Sequence, residues 1–208
     1  FETFALEVIL EQRRDKKAAC FRAVLYVLSK VFHVGVKGRR LLYNTRVIRD
    51  STLGVQVITI GNLTVGGTGK TPVVEKFARL LQDQGRKVAI LSRGYRSKPP
   101  PLREILRRKL LLQDDTTPPR VVSDAKNLLL NSEDAGDEPY MLASNLEDVV
   151  VLVDKDRVKA GRYAIEKFGC DTLLLDDGYQ YWKLAGRRRD IVLVDAQQPF
   201  GNEHLLPR

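Results

Sequence analysis

An α/β fold, with a mostly parallel sheet covered by helices on both faces, is predicted by three features of this 208-residue chain. Strand-like and helix-like segments alternate from Val55 onward. The apolar runs 149–153 and 172–175 show no polar alternation, as expected of strands buried on both faces. A β-branched run, Val55 to Ile60, leads into a glycine-rich turn that ends in Gly69-Lys70-Thr71. Short strands alternating with helices build doubly wound sheets with right-handed crossovers, and such sheets bind ligands at the carboxyl ends of their strands.

The first element in chain order is helical. Residues 4–48 read as amphipathic, with Phe21, Leu25, Leu28 and Phe32 at helical spacing and Arg22, Ser29, Lys30 and His33 as polar interruptions. The stretch is long enough for a membrane span, but Arg22 and Lys30 lie inside it. Basic residues follow at Lys37, Arg39, Arg40, Arg46 and Arg49. An apolar face beside such a cluster suits a helix lying in an anionic membrane interface; the alternative is a helix packed on its own domain. Strands are expected near 55–60, 87–92, 149–153, 172–176 and 191–195, and helices near 71–84, 137–146 and 156–168. Residues 96–119, with Lys98-Pro-Pro-Pro101, a basic stretch from Arg103 to Lys109, and Thr116-Thr-Pro-Pro119, read as an excursion from the core. Segments 120–123 and 127–130 read as a small hairpin after it. The expected division is a membrane-associating helical region, 1–50, and a core domain, 51–208.

Composition sets outer bounds. Hydrophobic residues make up 43% and charged residues 29%, the balance of a globular chain. The formal charge is +9, and residues 1–50 hold eleven Lys and Arg against five Asp and Glu. The positive charge therefore gathers beside an apolar helix rather than among exposed aromatics, and no nucleic-acid recognition motif is present, so no nucleic-acid partner is expected. Cys20 and Cys170 lie far apart, which suggests neither a disulfide framework nor a zinc site and fits a reducing compartment. His33 and His204 carry no metal signature. No secretory signal is recognisable, and the ends of the chain read as those of a fragment.

The glycine-rich turn reads as a phosphate-binding loop. Gly66, Gly67 and Gly69 let backbone N–H groups turn inward, where side chains would block a phosphate. Lys70 is placed to reach the β- and γ-phosphates of a nucleotide, and the Thr71 hydroxyl to ligate Mg²⁺; the alternative is an ordinary glycine-rich turn. Pro72 falls in the first helical turn, where its missing N–H costs nothing. The general pattern has glycine where this chain has Thr64.

Acidic groups fall at the other strand ends. Asp176 and Asp177 follow the buried run 172–175, as in a Walker B arrangement where an acid at the strand tip holds Mg²⁺; Asp-Asp-Gly is also good turn chemistry. Gln180, just beyond, is within reach of phosphate or substrate. Two readings fit Asp137 and Glu138 at the start of a helix: first-turn acids favouring the dipole, or Asp137 as a general base for an attacking hydroxyl. Arg93, after the strand near 87–92, is placed to stabilise charge on a transferring phosphoryl group.

Together these segments resemble a known family. Gly61-Asn-Leu-Thr-Val-Gly-Gly-Thr-Gly-Lys-Thr-Pro72, Ser92-Arg-Gly-Tyr95, Gly136-Asp-Glu-Pro139, Lys155-Asp-Arg157, Asp176-Asp-Gly-Tyr-Gln180 and Phe200-Gly-Asn202 occur in the order seen in tetraacyldisaccharide 4′-kinases, the lipid A kinases of Gram-negative bacteria. The likeness runs from about residue 20 to the end, and Thr64 is what that family tends to carry. It implies a P-loop NTPase-like kinase at the cytoplasmic face of the inner membrane. Such an enzyme transfers the ATP γ-phosphate to the 4′-hydroxyl of a tetraacylated glucosamine disaccharide 1-phosphate, giving lipid IVA. By the same resemblance Thr64, Val65, Gly66, Gly67, Thr68, Gly69, Lys70 and Thr71 bind ATP, and Thr71, Asp176 and Asp177 organise Mg²⁺. Asp137, Glu138, Lys70 and Arg93 serve catalysis, while Asn62, Tyr95, Arg157 and Gln180 contact substrate. Two departures stand out: Arg96-Ser97 replaces the family's Gly-Gly, and His204 does not match a later histidine thought to pair with the catalytic aspartate. The competing reading is a membrane-associated P-loop ATPase switch without a lipid acceptor. Val65 counts against it, since such switches usually carry a second lysine there.

Overall fold

The computed structural model describes residues 4, 7, 8, 13, 15–63, 69–94 and 117–196. Residues 64–68, Tyr95, the 96–116 part of the insert, Phe200-Gly-Asn202 and His204 lie outside them. One compact unit is Asp50–Leu193; a second contains the N-terminal helix.

That helix, α1, spans Lys16–Asn44. The continuous helix expected over 4–48 is interrupted before it, because the Asp15 side chain accepts a hydrogen bond from the Ala18 N–H at 3.1 Å and caps a new helix start. Its 29 residues include a stretch long and apolar enough to cross a membrane. At about 100° per residue, the exposed Val24, Val27, Leu28, Val31, Phe32 and Val34 share one side, while Arg22, Lys30, Lys37 and Arg40 share another. Ala18, Leu25 and Ser29 form a third, buried strip.

The Asp50–Leu193 unit is built on strands β1 (Ser51–Thr52), β2 (Gln56–Asn62), β3 (Val88–Ser92), β4 (Arg120–Asp124), β5 (Val150–Val153), β6 (Thr172–Asp176), β7 (Leu184–Ala185) and β8 (Arg188–Leu193). Helices α2 (Lys70–Asp83), α3 (Ser132–Ala135), α4 (Asp137–Asn145) and α5 (Arg157–Phe168) connect them. Among the described residues six strands form one sheet in the order β4-β5-β3-β6-β2-β8, parallel throughout except for antiparallel β4. The expected hairpin is reduced to a bridge between Ser123 and Leu128, because β4 pairs with β5 instead. The last strand starts three residues before its expected position. Its first half is polar, which an edge strand tolerates and a search for apolar runs misses. β1 and β7 form a separate two-stranded parallel pair.

Side-chain alternation along the strands builds two cores. Ile60, Val74, Ala78, Ile90, Leu142 and Leu174 lie between the sheet and α2 and α4. Val57, Leu91, Leu152, Ala164, Leu173 and Leu175 lie on the other face, against α5. Because both faces are dry, a one-residue slip of any central strand would exchange its two side-chain sets, so the register is strongly specified.

The end of β2 packs against the loop after β6. A Cβ on Gly61 would lie 2.7 Å from the Tyr179 Cβ and 3.3 Å from its backbone nitrogen. Gly61→Ala is expected to lower stability by about 1–3 kcal/mol through overpacking. Gly35→Ala in α1, where nothing lies within 4 Å, should be neutral or stabilising. Paired thermal melts test this, and equal melting temperatures for the two variants would contradict it.

Candidate active site

Parallel strands bring their carboxyl ends to one edge, and every helix that follows such a strand begins there. The edge therefore gathers Asn62 from β2, Ser92 and Arg93 from β3, Asp176 and Asp177 from β6, and the first turns of α2 and α5; α4, although it follows antiparallel β4, also starts near it, since its Glu138 acts on Asp176. Helix N-termini bring unsatisfied N–H groups and the positive end of the dipole, an environment suited to anions.

Lys70 is the first residue of α2. It follows Gly69, whose φ of 69° and ψ of 31° are left-handed and favour glycine. With glycine at the cap, no N-cap side chain bonds the first-turn N–H groups. The Lys70 ammonium donates to Asn62 Oδ1 at 3.2 Å and to Asp177 Oδ1 at 3.0 Å. It thus bridges the end of the phosphate-loop strand and the acidic turn after β6. Thr71 follows in the first helical turn, half-buried.

Asp176 is buried at the end of β6, whereas Asp177 is exposed and left-handed, with φ 53°. Burial pushes the Asp176 carboxyl up to about 6; the negative charges of Glu138 and Asp177 add to this, and Lys70 and Arg157 oppose it. Glu138 is the second residue of α4, and the fold brings it near the acidic pair from 38 residues earlier in the chain (138 to 176). Asp137 precedes it as the first residue of α4 and is solvent-exposed. The N-cap is Gly136, so Asp137 supports the helix through the dipole and not by capping its N–H groups.

Arg157 begins α5 and is buried, 5% exposed. Burial lowers its pKa below the usual arginine range, and so does nearby Arg93; Tyr181, Asp176 and Asp177 act the other way. Among the described residues its Nε has no hydrogen-bond partner. A buried guanidinium with a donor to spare, beside a second arginine, fits a phosphate. Gln180 is exposed on the loop after β6.

Several supporting residues carried no signal in the sequence. Tyr181 Oη accepts from the Arg157 N–H at 3.1 Å and donates to Asp156 Oδ1 at 2.9 Å, and its ring lies 5.3 Å from the Arg157 guanidinium. Asp156 caps α5 and also accepts from Lys183 at 2.6 Å. Burial raises the Asp156 carboxyl, but the hydrogen bonds from Lys183 and Tyr181 outweigh it and hold the pKa below the usual value. Asp154 pairs with Lys159 at 2.6 Å. A tyrosine after Gln180 has no distinguishing spacing; the Lys155-Asp-Arg157 motif was the nearest available clue.

These residues fit a divalent cation held with a nucleotide phosphate. Hard carboxylate oxygens converge from β6 and α4, one buried and crowded by like charge. Among the described residues no group of three or more His, Cys, Asp and Glu side chains forms a self-sufficient metal cage. Magnesium bound through phosphates needs none, since it takes one or two carboxylates and keeps much of its water.

The Asp176 shift has a consequence for stability without metal. Its carboxyl binds a proton more tightly in the folded state than at the ordinary value of 3.8, so its contribution is fully present below that pH and lost as pH rises through about 6. Asp176→Asn should therefore be more stable than the unmodified protein above pH 6, by up to about 3 kcal/mol, with the gap closing toward pH 4. Urea denaturation in chelator at pH 5 and pH 8 tests this. A variant less stable at pH 8 would refute it.

Comparison with known proteins identifies the family and the fold. The family profile for tetraacyldisaccharide-1-P 4′-kinase, LpxK, matches residues 21–208. The tetraacyldisaccharide 4′-kinase of Halothermothrix orenii is 38% identical over 210 residues, covering 100% of this chain and 50% of the relative. That of Syntrophus aciditrophicus is 40% identical over 196 residues, covering 94% and 47%. The crystal structure of LpxK from Aquifex aeolicus in complex with ATP superposes with a TM-score of 0.71 at 34% identity, covering 90% of this chain and 54% of that one. The chain thus spans about half the length of the curated relatives it matches. On the strength of this match, the chain belongs to the tetraacyldisaccharide 4′-kinase family.

Proposed function

We propose that the full-length protein is an ATP-dependent kinase that phosphorylates the 4′-hydroxyl of a tetraacylated glucosamine disaccharide 1-phosphate in lipid A biosynthesis. The observation that carries this reading is the Lys70 bridge: one ammonium at the first turn of α2, held between Asn62 and Asp177, with Asp176 buried behind it. Bound Mg²⁺–ATP supplies the phosphoryl group and neutralises part of the charge that develops on it.

The residues of the chain do the rest. Lys70 holds the β- and γ-phosphates once these replace its present partners, and the Thr71 hydroxyl, Asp176 and Asp177 hold the metal. Thr64, Val65, Gly66, Gly67 and Thr68 complete the nucleotide loop. Arg93 and Arg157 place two positive charges where the transferring group carries negative charge, and the spare Nε of Arg157 gives it a donor. Asp137, exposed at the same edge, takes the proton of the attacking hydroxyl, with Glu138 beside it. Asn62, Tyr95 and Gln180 contact the lipid's polar head.

The lipid acceptor gives α1 a purpose. Its apolar side enters the acyl region of an anionic leaflet while Arg22, Lys30, Lys37 and Arg40 stay among headgroups, which seats the enzyme at the cytoplasmic face of the inner membrane.

Labelled γ-phosphate should appear in tetraacyldisaccharide 1-phosphate presented in detergent micelles. Asp137→Ala should lower kcat by about 10²–10⁴-fold with little change in the KM for ATP. A variant that keeps most of its activity would return Asp137 to a helix-dipole role. ATP hydrolysis by the unmodified protein without lipid labelling would favour the ATPase switch. For the membrane reading, Val27→Glu with Val31→Glu should abolish flotation with phosphatidylglycerol vesicles, and undiminished flotation would exclude this face as the contact.

A further inference from the structure

Arg188 lies in the run Arg187-Arg188-Arg189, which reads in sequence as a solvated basic patch. Its neighbours are exposed, but its own side chain is only 11% exposed. The guanidinium makes five hydrogen bonds. Nη1 donates to the carbonyls of Tyr181 at 2.5 Å and Leu184 at 3.1 Å; Nη2 donates to those of Gly178 at 3.2 Å and Tyr179 at 2.9 Å. Nε donates to Asp190 Oδ1 at 2.7 Å. That oxygen also accepts from the hydroxyl of Thr59, a fully buried residue of β2.

All four carbonyls belong to the 178–184 segment, which leaves the sheet directly after Asp176 and Asp177. Asp177 is a non-glycine residue with φ 53°, and such a conformation persists only where its surroundings enforce it. Gly178 and Tyr179, the next two residues, are held by the same nitrogen of Arg188. We propose that Arg188 is a positioning residue for phosphoryl transfer: it clamps the turn after Asp177 by its backbone carbonyls and, through Asp190 and Thr59, ties that turn to the phosphate-loop strand. The proposal rests on the kinase reading. Arginine suits the role because its planar fork presents five donors in fixed directions, whereas a lysine ammonium is a single point with three.

The full-length protein, Arg188→Lys and Arg188→Met are compared, with Val88→Ala as a core-truncation control far from the site. Hydrogen exchange in peptides covering 177–184 should accelerate at least about tenfold in both Arg188 variants, with the rest of the sheet unchanged. The Mg²⁺ concentration for half-maximal phosphoryl transfer should rise about 10–100-fold, as with other residues that hold metal ligands in place, while the KM for ATP stays within about twofold. Val88→Ala should move neither readout. Wild-type exchange over 177–184 in Arg188→Lys and Arg188→Met would overturn the proposal, as would acceleration throughout the sheet that Val88→Ala reproduces. If Arg188→Met fails to fold, Arg188→Lys carries both readouts; failure of both would make Arg188 a general folding residue and end the proposal. The exchange readout does not depend on the reaction, so an unmodified protein that labels no lipid would sink the kinase reading separately.

Discussion

Ile60 and Asp176 stand opposite each other where the pairing of the parallel strands β2 and β6 ends, and the site depends on that register. The pairing runs from Gln56 with Thr172 to Ile60 with Asp176, without interruption. It brings the loop after β2 and the acids after β6 out at the same edge of the sheet, so that Lys70 can bridge Asn62 and Asp177. Leu173, Leu174 and Leu175 keep it in place, since each is fully buried, on alternating faces. A slip of one residue would turn Asp176 and its neighbours to the opposite face.

The fold tolerates charges it would otherwise exclude from its core. Asp176 and Arg157 are both buried at the edge of the sheet, and each shifts away from its charged form for that reason. Mutual attraction and Lys70 offset part of the desolvation, but not all of it. Such residual instability is what a site built for an incoming cation and an incoming phosphate is expected to carry, since the ligands complete the charge balance.

Around these groups, the chain positions functional side chains chiefly through backbone contacts. Arg188 holds carbonyls, Tyr181 takes the Arg157 N–H, and Asp156 caps the helix that Arg157 begins. Gly61 contributes by having no side chain, which lets Tyr179 approach β2. Val24, Val27, Leu28, Val31, Phe32 and Val34 along one side of α1 are exposed.

The local structure was legible in the sequence alone. Gly69-Lys70-Thr71 after a β-branched strand, the buried run ending at Asp176, and Asp137 at a helix start each depend on residues adjacent in the chain, and each element formed close to its expected bounds. Bounds set by side-chain competition were less legible: the Asp15 cap cut the N-terminal helix short, and the polar start of β8 hid an edge strand. Strand order was not readable at all, and neither were its consequences. That β6 lies directly beside β2, that Glu138 raises the Asp176 carboxyl, and that the middle arginine of a basic run turns inward are facts about residues distant in sequence. A chain specifies its own turns and caps through neighbours a few bonds apart. Which distant groups share a low-dielectric edge is decided only when the sheet has closed its register and expelled its water.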